Sequence, residues 1–95
     1  MKATKAQALA CYDSFFNTLR HLNGGTSEEN KRQAPACLVE LEKHAAEAAA
    51  IFANPNKALA ADAWRMESLG VTIPARVESF RARYFGNVIP FPVQS

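Results

Sequence analysis

Apolar residues recur at three- and four-residue steps through nearly the whole chain, and no segment alternates with period two for long enough to form a strand. That spacing restricts the fold to helices. Strong punctuation divides the chain into four helical stretches. The first runs from about Thr4 to Leu22. Leu9, Tyr12, Phe16 and Leu19 form its stripe, and Ala8, Phe15 and Leu22 widen it. Asn23, Gly24 and Gly25 end it, because Asn and Gly tolerate the left-handed conformation found at helix ends.

The second stretch opens on "TSEE", where Thr26 caps and Glu29 returns the bond as a capping box. Its stripe reads Leu38, Leu41, Ala45, Ala48, Phe52, close to a heptad seam, with alanines that let helices approach closely. Pro35 removes a backbone donor and crowds the preceding turn. It therefore predicts either one helix kinked at Pro35 or, in preference, a short helix at about 27–33 and a break, with the main helix starting at Pro35. Asn54 is expected to cap the third stretch, with Pro55 in its first turn. This helix would run to about Leu69, bury Leu59, Ala63 and Met66 with Trp64 beside them, and stop at Gly70. The fourth carries Ile73, Val77, Phe80 and Tyr84 on one stripe and closes at Gly86.

Short connections between amphipathic helices favour antiparallel neighbours. The expected fold is all-α: a compact antiparallel bundle of three to four helices over residues 1–86. An extended, Pro-containing segment follows over 87–95. There, Pro90 and Pro92 impose a polyproline-like path on Val88, Ile89, Phe91 and Val93. Those side chains are expected to touch the bundle itself, a second copy of the chain, or another protein, since exposing each large one costs about 1.5–3 kcal/mol relative to burial.

Ninety-five residues make one domain. With 48% hydrophobic and 21% charged residues the composition is that of a folded protein. The net charge of +2 is too mild to argue nucleic-acid binding by itself. In "MKATKAQALACYDSFF", Asp13 interrupts the apolar run that a secretion signal needs, and no stretch reaches the length of a membrane span. The expected location is the cytoplasm, with Cys11 and Cys37 reduced.

Cys37, Glu40, His44 and Glu47 fall on one helical face and are ligand types that zinc accepts. Four ligands down one straight helix cannot surround one ion, so a charged flank beside the core stripe is the expectation, with no metal and no cofactor. If the first two helices pair about the 23–26 turn, residues at equal height have numbers summing to about 48, as Cys11 and Cys37 do. They would then face each other. With no export signal, buried free thiols are expected rather than a bridge. Cys37 and His44 lie about 10 Å apart along a helix, too far for a nucleophilic pair. There is no glycine-rich phosphate loop, and Asp13 and Asp62 read as isolated surface carboxylates. No catalytic residues are assigned and no enzyme is expected.

The fourth helix carries Arg76, Arg81 and Arg83, with Arg65 on the third. Arginine beside aromatic anchors is the composition of interface hot spots. The expected partner-binding set is therefore Arg76, Arg81, Arg83, Phe85, Ile89 and Phe91. The expected partner is a larger protein or complex with an acidic patch, and a homodimer is a further possibility for the tail. The corresponding function is a small protein-binding regulator or inhibitor. Such short helical chains fit the style of inhibitors that phages and mobile elements encode against host defence or regulatory complexes. The alternative is a nucleic-acid-binding regulator with the fourth helix at the phosphates; Glu78 among the arginines and the apolar start of that helix weigh against it.

Overall fold

The computed structural model describes residues 2–22 and 27–85. The expected tail 87–95, its Ile89 and Phe91, the helix stop at Gly86 and the capping Thr26 lie outside these residues. The fold is an all-α bundle. Helix α1 spans Lys5–His21 and α2 spans Ser27–Ala53. Two short helices, α3 (Lys57–Ala60) and α4 (Ala63–Glu67), cross to the third long helix, α5 (Ile73–Phe85). A wide π turn, Ser68–Thr72, joins α4 directly to α5.

Helix α1 starts with a reciprocal cap. Thr4 Oγ1 accepts from the Gln7 N–H at 3.1 Å, and Gln7 Oε1 accepts from the Thr4 N–H at 2.8 Å. The residue before it ties down the far end of α2: Ala3 N–H donates to the Asn54 carbonyl at 2.9 Å, and Asn56 N–H donates to the Ala3 carbonyl at 2.7 Å. This pairing moves the next helix start. Asn54 is engaged by Ala3, so Asn56 caps α3 instead, accepting from Leu59 N–H at 2.8 Å. Asp62 then interrupts the predicted long third helix and caps α4 by accepting from Arg65 N–H at 3.2 Å.

Two predicted breaks are absent. Pro35 is the ninth residue of α2, which continues through it. An interior proline costs about 3 kcal/mol. Here Pro35 is exposed, so its ring sits on the solvent side of the helix and outside the packed seam. Ala34 and Cys37 on either side are buried in the core and hold both halves of the helix in line. Gly70 does not stop a helix either. A Cβ there would lie 2.6 Å from the ring of Phe52, so the missing side chain serves a close approach between the π turn and the end of α2. Pro74 cannot donate to the carbonyl four residues back, and its ring crowds that carbonyl. One extra residue in the turn relieves the conflict, and Ile73 N–H bonds five residues back to Ser68.

The helices run up, down and up. Cys11 meets His44 and Cys37 meets Thr18 across α1 and α2, so facing numbers sum to 55. The sum of 48 expected for Cys11 and Cys37 does not hold, because α2 extends past the end of α1. The thiols are free and about two turns apart along the seam. Phe52 meets Gly70, and Glu42 meets Arg81, which sets α5 antiparallel to α2. The core holds Phe15, Leu22, Leu41, Leu59, Leu69 and Ile73 with almost no exposure. Every seventh residue of the α2 seam, Ala34, Leu41 and Ala48, is buried, and the two alanines bring the backbones close. Among the described residues no helix is long and apolar enough to cross a membrane.

Candidate protein-binding face

Helix α1 carries more large apolar residues than one seam can bury. Phe15 points into the core, while Tyr12 and Phe16 are half-buried beside it and Leu9 is 45% exposed. The surplus forms a line of rings on the side of α1 that faces α4 and α5. Trp64, 62% exposed, lies 6.2 Å from Tyr12 between ring centroids. Tyr12 lies 4.6 Å from Phe16, and Phe16 meets Phe15 edge-on at 5.1 Å. Offset and edge contacts of this kind hold ring positions at about 0.5–1.5 kcal/mol each beyond area burial.

Arginines sit along this line. The Arg65 guanidinium lies 5.7 Å from the Trp64 ring centre, Arg76 lies 5.9 Å from Phe16, and Arg83 lies 5.8 Å from Tyr84. Next to Arg76 and Arg83 a cleft of about 160 Å³ opens between α1 and α5, with Leu19, Leu22, Phe80 and Tyr84 among its lining. Among the described residues Arg76 and Arg83 form no ion pair, and each guanidinium rests on a ring instead.

The predicted arginine cluster is therefore divided. Arg76 and Arg83 share the cleft. Arg81 faces the other way and pairs with Glu42 of α2. Phe85, one turn after Arg81, is half-buried against the core. Ile89 and Phe91 lie outside the described residues. Sequence spacing alone puts Tyr12 and Phe16 on the core stripe and Trp64 beside one, and marks none of them as a binding residue. The width of the α1 stripe was the available signal, since seven large or small apolar positions exceed what one helical seam covers.

The residues with chemical potential elsewhere are held in structural roles. Cys11 Sγ donates to the His44 carbonyl at 3.4 Å, and Cys37 Sγ donates to the Thr18 carbonyl at 3.7 Å. Burial, reinforced by Glu47, pushes the Cys11 thiol up to about 11. Burial and then Glu40 also raise Cys37. Neither is a ready thiolate at neutral pH. The His44 ring lies 3.1 Å from Glu47 and 3.8 Å from Glu40. Among the described residues no group of three or more His, Cys, Asp or Glu is placed to hold a metal ion. Asp62, expected to stand alone, is instead a hub: it caps α4 and pairs with Lys5 and Arg65, each at 3.4 Å. The Arg65 backbone N–H, above the other contacts, holds its carboxyl below the usual aspartate value.

Comparison with known proteins places nothing beside this face: no family model matches the chain, and neither a curated protein nor a solved structure matches it.

Proposed function

We propose that this protein is a non-enzymatic regulator or inhibitor that acts by binding another protein through the face shared by α1, α4 and α5. The observation that carries the reading is the continuous line Trp64–Tyr12–Phe16, with Arg65 and Arg76 resting on its end rings and the cleft lined by Arg76 and Arg83 next to it. A tryptophan left 62% exposed on a chain this small, next to rings and arginines, matches the make-up of interface hot spots. The rings are already fixed by one another, so docking a partner orders few new side chains. The buried thiols and the paired histidine support a binding role over nucleophilic chemistry. Nucleic-acid binding through α5 has weaker support, because Arg81 is committed to Glu42 and apolar side chains lie between Arg76 and Arg83.

A photo-crosslinker replacing Trp64 tests the reading in the cells that make the protein. The expected result is a saturable crosslink to one protein, competed by the unmodified chain and weakened by Tyr12→Ala and Phe16→Ala. A shift of generic duplex at low salt, abolished by Arg76→Glu with Arg83→Glu and accompanied by no protein crosslink, would replace it with the nucleic-acid reading.

A further inference from the structure

The size of the cleft between α1 and α5 decides what it can take. Its volume of about 160 Å³ is well below the roughly 300–1,000 Å³ of sites for cofactors and drug-sized ligands. It is close to the roughly 150 Å³ of an apolar cavity that holds benzene. One aliphatic or aromatic side chain is the matching occupant. Leu22 and Phe80 give it a buried apolar floor, and Ser79 stands at its side.

Charge then restricts the segment that carries that side chain. Arg76 and Arg83 line the same cleft, seven residues apart on α5, which sets them about 10 Å apart along the axis. Among the described residues neither has a carboxylate partner or a hydrogen bond, so the donors of both guanidinium groups are available. Asp13, one turn from Phe16 on α1, pairs with neither. A nucleic-acid backbone would satisfy the arginines but would cover Leu22 and Phe80 without an apolar group to place there. A peptide that is apolar in its middle and acidic at both sides satisfies both features.

The geometry points to an acidic amphipathic helix of a partner protein as the occupant. It lies along α5, places one apolar side chain between Leu22 and Phe80, and sets carboxylates about two turns apart on Arg76 and Arg83. This specifies the partner's chemistry at the binding face proposed above and rests on that reading. Carboxylate–arginine pairing beside a desolvated anchor fixes register as well as affinity.

Two synthetic helical peptides test it by NMR titration of the labelled full chain. One carries glutamates seven residues apart with leucine midway, and the other has lysines in place of the glutamates. The glutamate helix should bind at least about tenfold more tightly and shift the amides of Leu19, Ser79 and Tyr84. Arg76→Glu with Arg83→Glu should invert the preference. Ser79→Trp, a change at an exposed position beside the cleft, should block the glutamate helix while leaving the dispersed spectrum of a folded protein. Equal binding of the two helices overturns the inference, as does duplex DNA shifting the same amides as strongly. Failure of both helices at millimolar concentration also overturns it. If the Trp64 crosslink persists in that case, only the acidic-helix inference falls; if the crosslink is also absent, the protein-binding reading falls with it.

Discussion

The two sides of α1 treat similar residues in opposite ways. Toward α2, reactive and charged groups are neutralised: both thiols donate to backbone carbonyls, and His44 on α2 sits between two glutamates. Toward α4 and α5, Trp64 stays exposed, Tyr12 and Phe16 are half-buried, and among the described residues Arg76 and Arg83 have no carboxylate partner. Phe15 and Phe16 show the contrast in adjacent positions, one without exposure and the other half-buried in the surface line. One side of the helix holds the bundle together, and the other leaves unsatisfied chemistry on display.

The contrast can be broken most forcefully at those two phenylalanines. Phe15→Ala should cost about 3–5 kcal/mol by urea unfolding, a large part of the stability of a domain this size. Phe16→Ala should cost clearly less and act mainly on partner crosslinking. Equal losses would show that the surface line is part of the core.

A smaller effect sharpens the α2 side. A thiol whose value rises on folding makes the unfolded chain the first to release its proton. Stability should therefore be complete below about pH 9 and decline as pH climbs from there toward about 11. The loss should be on the order of 2–3 kcal/mol for Cys11. Cys11→Ala should flatten that decline when unfolding is compared at pH 8 and pH 10.5. Asp62 works in the other direction: with its carboxyl held low, its contribution is present above the ordinary aspartate range and fades as pH falls through the lowered value. Asp62→Asn should weaken that acid dependence.

The surface substitutions should have the smallest effects on folding. Trp64→Ala should change stability by about 1 kcal/mol or less while removing the crosslinking partner's anchor. Arg81→Ala should cost only about 0.2–1 kcal/mol, as for an exposed ion pair, and leave binding at the cleft intact. If Arg81→Ala weakens binding as much as Arg76→Ala, the division of α5 into a structural flank and a binding flank is wrong.

The helical class was legible because the periodicity is strong and the caps are chemical. Two features were not. Pro35 and Gly70 are local breakers whose effects were decided by distant contacts, through the buried neighbours of Pro35 and the Phe52 ring over Gly70. The arginines of α5 were read as one group, since spacing cannot show that Glu42 on another helix takes Arg81. The rings of α1 were hidden because an amphipathic stripe looks the same whether its edge is covered or left open.

The π turn at Ser68–Thr72 acts as a phase setting. It adds one residue to what would otherwise be a continuous helix from α4 into α5. Each residue in a helix advances the direction of its side chains by about 100°. Deleting the exposed Val71 would leave composition, caps and net charge almost unchanged, yet it would turn all of α5 about its own axis by that angle. Val77 and Phe80 would rotate out of the core, and Arg76 and Arg83 would leave their shared cleft. The address of the proposed binding face is thus written in a count of residues, one more than a regular helix would use.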